Sequence, residues 1–313
     1  PADRRRSRSP ARGGPMTAAP ETDAELPGYW AALGLPGIVD VHVHLMPDRL
    51  QQKVWEYFDA AGPLLGRPWP VQYREDMSAR LGRLRAMGVQ AFTGLLYPHK
   101  PDMAAGLNAW AAEFAAQTPG CLHTATFFPE ESAADYVREA IEAGARVFKA
   151  HVQVGGYDPR DELLDRVWGL LAEAGVPVVA HVGGGPTATA FTGPAVFGEV
   201  LARHPQLPAI VAHLGMPEFE GFVELGRRHP AVRFDVTGVF TKFGDDLWPF
   251  PRAEARAVLT ELGDRILFGS DYPTMPNTYA EQVAAVAELD LGDEWLRAVF
   301  RENALTLWPD LQL

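Results

Sequence analysis

Cysteine is nearly missing from this chain. Its 313 residues include one, Cys121, so neither an intramolecular disulfide nor a multi-cysteine zinc site can be built. A lone cysteine fits a reducing compartment, where it usually packs as a small core residue, and a cytoplasmic location is the expectation. Long apolar runs are also missing: none reaches the roughly 20 residues that span a bilayer. Positive charge is scarce. Lys and Arg number 28 against 40 Asp and Glu, for a formal net charge of −12. Much of what there is lies in "PADRRRSRSPARGGP", where Arg4, Arg5, Arg6, Arg8 and Arg12 face only Asp3; this local +4 leaves the rest near −16. So acidic a folded part is a poor surface for nucleic acid. No apolar segment follows the arginines, so the stretch does not read as a secretory signal. Its composition predicts a disordered tail over residues 1–25, ahead of a single domain over 26–313.

What the chain has is a rhythm. From residue 37, short runs rich in Val, Ile, Leu, Phe and Ala alternate with longer stretches of helical periodicity. The runs "GIVDVHVH" (37–44), "VQAFTGLL" (89–96), "CLHTATF" (121–127), "RVFKAHV" (146–152), "PVVAHV" (177–182), "PAIVAHL" (208–213), "AVRFDVT" (231–237) and "RILFGSD" (265–271) read as strands. "AMGVQA", "EAGARV" and "EAGVPV" share one design, a helix end capped by Gly and then a strand. Strands alternating with helices imply parallel pairing through helical crossovers, and eight such units fit a (β/α)8 TIM barrel better than an open doubly wound sheet. Two connections are long. Residues 45–88, an insertion after the first strand, carry Trp55, Tyr57, Phe58, Trp69 and Tyr73; residues 238–251 carry Phe240, Phe243, Trp248 and Phe250. Loops after barrel strands ring the active-site face, so both are expected to shape a substrate pocket or to pack over the rim.

The polar residues gather at strand ends. His42 and His44 close the first strand, Lys149 and His151 the fourth, His181 the fifth, His213 the sixth and Asp271 the eighth; these hold five of the nine histidines. Strict alternation would put Asp40, His42 and His44 on the axis-facing side of their strand, with Val39, Val41 and Val43 toward the helices. The same rule pairs Lys149 with His151 and Val211 with His213. Polar groups aimed into a barrel need partners, since burying them unpaired costs roughly 2–7 kcal/mol. A divalent metal is an efficient shared partner, and imidazole with carboxylate suits zinc, manganese or iron. A catalytic metal keeps a position open for water and lowers its pKa. His99, after the second strand, lies at the expected mouth and is a candidate for substrate contact.

The His-x-His pair, the later histidines and the closing aspartate follow the order and intervals of the amidohydrolase superfamily, which the sequence resembles over residues 37–309. "DVHVHLMP", "VVAHVGG", "IVAHLG" and "LFGSDYP" look most like the branch of aminocarboxymuconate-semialdehyde decarboxylase, benzoate-type decarboxylases and several lactonases. The resemblance implies that His42, His44, His181 and Asp271 bind a single metal ion, zinc by expectation, with Asp271 also taking a proton from water. It implies that His213 polarises a substrate oxygen or moves a proton, and that His151 contacts substrate. Lys149 falls where some binuclear relatives carry a carboxylated lysine; left unmodified, it would bind a substrate carboxylate. Relatives often pair, so a homodimer acting on a small molecule is expected.

Two chemistries share such a site. One is hydrolysis of a lactone, amide or ester by metal-activated water. The other is non-oxidative decarboxylation of an aromatic or enol acid, a lyase reaction. A metal-binding barrel without catalysis is a lesser alternative. Hydrolysis is favoured because no set of arginines stands near the strand ends to grip an acid, although Lys100, Lys149 and Lys242 could supply charge.

Overall fold

The structure is a computed structural model that describes residues 17–311 and 313. Most of the expected tail, residues 1–16, lies outside the described residues. Within residues 17–25, the Asp23 carboxylate accepts hydrogen bonds from Tyr73 Oη (2.7 Å) and the Ala280 amide (2.9 Å).

The β-rich runs become nine short parallel strands: β1 (Ile38–Asp40), β2 (Val89–Thr93), β3 (Cys121–Leu122), β4 (Thr124–Thr126), β5 (Val147–His151), β6 (Val178–His181), β7 (Ala209–Val211), β8 (Arg233–Asp235) and β9 (Ile266–Leu267). β3 and β4 are two pieces of one strand interrupted at His123: β3 pairs with β2, and β4 with β5. The ring closes beyond the ends of β1 and β9. Val41 N donates to Phe268 O (3.1 Å), Asp271 N to His42 O (2.7 Å) and His44 N to Tyr272 O (2.7 Å), with Val43 and Tyr272 in a parallel bridge. The architecture is a (β/α)8 barrel.

Local chemistry sets the crossovers. Helix Glu162–Ala174 starts on Asp161, whose side chain accepts from Leu163 N, and stops at Gly175, whose φ of 65° suits a residue without Cβ. Helix Tyr279–Ala287 starts on a capping box between Thr278 and Glu281. No helix of the described residues is long and apolar enough to cross a membrane.

Two apolar layers result. Val39, Ala91, Leu122, Val147, Val179, Ile210 and Leu267 meet inside the barrel, and Ala304 of the last helix and Trp308 just beyond its end close its floor. The opposite strand faces pack under the helices.

The alternation read from the sequence holds for β5, where Phe148 and Ala150 face the helices and Val147 the interior. At β1 it fails. Val39 and Val41 join the interior cluster. The Asp40 carboxylate turns toward the helices, accepting from Tyr279 Oη (2.8 Å) and Ser270 Oγ (2.5 Å). It also accepts from His42 N (3.0 Å), a local turn that lets Val41 and His42 both face inward. At β7, Ile210 is interior and Val211 exterior, and the chain then leaves the sheet through left-handed His213 (φ 56°) and Leu214 (φ 52°). At β1 and β7 the pleat ends before the site histidines, so it cannot set their direction.

Candidate metal centre

Each inward histidine is held through one ring nitrogen, which fixes what the other can do. His42 Nδ1 lies 2.9 Å from Asp235 Oδ2, and His44 Nδ1 lies 3.0 Å from the Leu95 carbonyl. Carboxylate and carbonyl only accept, so the proton sits on Nδ1 and each Nε2 carries a lone pair. His213 is held alike, Nδ1 against the Thr237 carbonyl at 3.0 Å.

Asp271 follows β9 in a left-handed conformation (φ 57°), which a short polar side chain tolerates. Its Oδ1 lies 2.8 Å from His44 Nε2 and 3.7 Å from His42 Nε2. A carboxylate oxygen and an imidazole lone pair cannot share 2.8 Å without a cation between them, a proton or a metal ion. The ligand atoms of His42, His44 and Asp271 lie within 4.8 Å of one another. This donor set, with every imidazole backed by a second partner, fits a divalent ion.

Burial and charge set the protonation. Asp271 and Asp235 are both held well below the usual carboxylate range despite their burial, because the neighbouring histidines favour the charged form. His42 is pushed down to about 3, chiefly by burial and then by the Lys149 ammonium. Burial drives His151 and His181 well below their ordinary value as well. His42, His151 and His181 are therefore neutral, the form that binds a metal.

The other expected residues are placed differently. His181 stacks on His151, ring centroids 4.1 Å apart, and its Nε2 bonds to the Gly185 carbonyl at 2.7 Å. It stands beside the three-residue cluster and is not part of it. His151, His181, His213 and exposed His99 line the cavity above the cluster. Lys149, assigned to substrate by the sequence reading, is fully buried with Nζ 3.1 Å from His42 Nε2, and it does not line the cavity. Lys100 and Lys242 do not line it either.

Asp235 is the functional residue that the sequence reading missed. Besides His42 it accepts from His213 N (2.9 Å) and Thr237 N (3.1 Å), so one carboxylate aims two histidines. Its signal was there to find: "RFDVT" ends a strand on a polar residue as the other site strands do. Gly269 is a close-approach position. A Cβ there would lie 2.5 Å from His42 Cβ and against Thr237 Oγ1.

The cavity holds about 620 Å³. Both long connections wall it: Leu50, Tyr57, Phe58 and Trp69 come from residues 45–88, and Phe243 and Trp248 from residues 238–251. Tyr73, Phe240 and Phe250 belong to the packed core instead. Tyr97 stands between the two histidine groups, its ring 5.4 Å from His44 and 4.5 Å from His151.

The Amidohydrolase family model matches residues 39–309. Among solved structures, the chain is similar to an uncharacterised TIM-barrel protein from Bordetella bronchiseptica (18% identity, 87% of this chain and 98% of that one, TM-score 0.69). It is similar to 5-carboxyvanillate decarboxylase from Novosphingobium aromaticivorans with bound manganese (16%, 87% and 97%, 0.56). A third likeness is to a probable 2-pyrone-4,6-dicarboxylic acid hydrolase from Acinetobacter baumannii (12%, 87% and 99%, 0.59). At these identities the likeness is one of fold. Among curated proteins none matches the sequence.

Proposed function

The chain belongs to the amidohydrolase family, and on that premise we propose that it is a metal-dependent hydrolase of an uncharged lactone, ester or amide. The observation that carries this reading is the charge of the cavity. Among the described residues no arginine lines it, and the lysine that does, Lys53, is exposed and pairs with Glu56 at 2.6 Å. An acid substrate would find no free fixed cation on the walls.

His42, His44 and Asp271 are the residues that would hold a divalent ion, with His181 the further ligand the resemblance implies. Bound there, the ion would polarise a carbonyl and make a nearby water more acidic. Manganese in the decarboxylase of like fold favours a first-row ion, and zinc or iron suits the same donors.

The protein's own groups move the protons. Asp271 accepts one from the attacking water. His213 presents an unprotonated Nε2 to the cavity, takes that proton from Asp271 and hands it to the leaving oxygen or nitrogen. The water oxygen bonds to the acyl carbon, the carbon–oxygen or carbon–nitrogen bond breaks, and the leaving alkoxide or amine departs with a proton. Asp235 holds His42 and His213 in place throughout.

The second reading, decarboxylation of an aromatic or enol acid, draws on the likeness to 5-carboxyvanillate decarboxylase. Purified enzyme tested side by side on lactones, esters, amides and hydroxybenzoates separates the two. Hydrolysis without carbon dioxide release supports the proposal; carbon dioxide from hydroxybenzoates with no hydrolysis overturns it.

A further inference from the structure

We propose that the substrate carries a long, uncharged apolar group that fills the cavity from the metal centre to its mouth. This rests on the hydrolase reading and adds the substrate class.

Size is the first ground. The cavity of about 620 Å³ falls among pockets that enclose drug-sized ligands, about 300–1,000 Å³. The distribution of chemistry is the second. Apart from the exposed Lys53 and His99, the titratable groups gather toward the floor, where His44, His213 and Asp271 meet, while Val54, Phe58 and Trp69 on one side and Phe243 and Trp248 on the other supply carbon surface above. A charged substituent placed among these walls would lose its water and gain no partner.

The rim is the third and independent ground. Among the described residues, the exposed large hydrophobics are Tyr57 (49%), Leu64 (57%), Val154 (40%), Leu163 (42%) and Leu313 (42%). Single exposed apolar residues are ordinary, but three of these, Tyr57, Leu64 and Val154, line this one cavity. The apolar surface therefore runs out of the cavity onto its lip, as it would for a ligand whose tail reaches solvent. Tyr57 and Leu64 come from the insertion after β1 and Val154 from the turn after β5, so separate segments converge on the same chemistry.

The test is a series of nitrophenyl esters on metal-loaded enzyme: acetate, hexanoate, decanoate and the half-ester of adipic acid. Each buried methylene raises kcat/KM by up to about fourfold, so decanoate should exceed acetate by roughly a hundredfold or more. The adipate half-ester, which carries its charge into the walls, should fall at least about tenfold below hexanoate. A flat or falling series among hydrolysed esters overturns the inference and leaves hydrolysis standing. If no ester, lactone or amide turns over, the hydrolase reading falls and calorimetry decides the inference alone. Decan-1-ol should bind at least about tenfold more tightly than hexan-1-ol; equal affinities overturn it. Leu64→Asp should depress decanoate more than acetate. If it instead changes subunit number and leaves the selectivity intact, the rim is an interface between copies and the proposal is wrong.

Discussion

The floor of the cavity and its mouth are built on opposite principles. At the floor, His42, His44 and His213 each have one nitrogen tied to a carboxylate or carbonyl at 2.9–3.0 Å, and the side chains are buried. At the mouth, the walls come from two long connections and meet mainly by ring contacts, such as Phe58 stacked on Trp69 at 4.9 Å and Trp69 edge-on to Phe243 at 5.0 Å. Ring contacts are worth about 0.5–1.5 kcal/mol beyond burial and tolerate exchange. A hydrogen-bonded imidazole allows one tautomer and one direction. Chemistry is fixed where the barrel is rigid, and selectivity is written where the chain can vary.

The sharpest way to break the comparison is at the floor. Asp271→Asn removes the negative ligand and the proton acceptor together, and should cost roughly a thousandfold or more in kcat. Steady-state kinetics with metal analysis checks this. A near-normal rate would mean that the chemistry lies elsewhere.

Asp235→Asn should cost about 10–100-fold in metal affinity or activity, as supporting residues of metal sites do. The amide can donate to His42 Nδ1 and so favour the wrong tautomer. A chelator competition assay would detect it, and unchanged affinity would remove Asp235 from the site.

Lys149 is the floor's unfavourable member. Burial pushes its ammonium down to about 8 from 10.5, against the pull of Asp271 and Asp235. Below pH 8 the lysine is charged in both folded and unfolded chains and the full burial cost applies. Between pH 8 and 10.5 the unfolded chain holds more protons, so stability rises with pH. In metal-stripped protein, Lys149→Met should therefore stabilise by roughly 1–3 kcal/mol at pH 7, and the gain should shrink as pH climbs through that window. Thermal melts of both proteins across pH give the answer. A destabilised variant at pH 7 would show that Lys149 is held by its carboxylates more than it is penalised by burial.

The smallest effects belong to the mouth. Phe243→Ala should raise KM several-fold while metal content stays at the wild-type level, because the ring touches Trp69 and none of the ligands. A loss of metal in that variant would join the two regions and end the distinction.

Fold and floor were legible in the sequence to different depths. The strand runs and the Gly-capped helix ends follow from periodicity and backbone preference, and the barrel follows from them. That polar residues sit at strand ends could be read directly, and so could His42, His44 and Asp271. Their orientation could not. Alternation presumes a continuing pleat, and β1 stops at Asp40 while β7 stops at Val211. Val41 and His42 both face inward because Asp40 bends back onto His42 N, a contact that no periodicity encodes. Lys149 sits on the face the sequence foretold, because β5 stays regular through His151. Its neighbour there proved to be His42, set by the strand across the barrel. Asp235 ends β8 and obeys the same strand-end rule as the other site residues.

The central claim is that His42, His44 and Asp271 hold a divalent ion. Elemental analysis of the purified protein beside His44→Ala tests it most directly. The account predicts about one equivalent of zinc, manganese or iron per chain, lost together with activity in the variant. Full activity in a protein with no metal, or an unchanged metal content in His44→Ala, would contradict it.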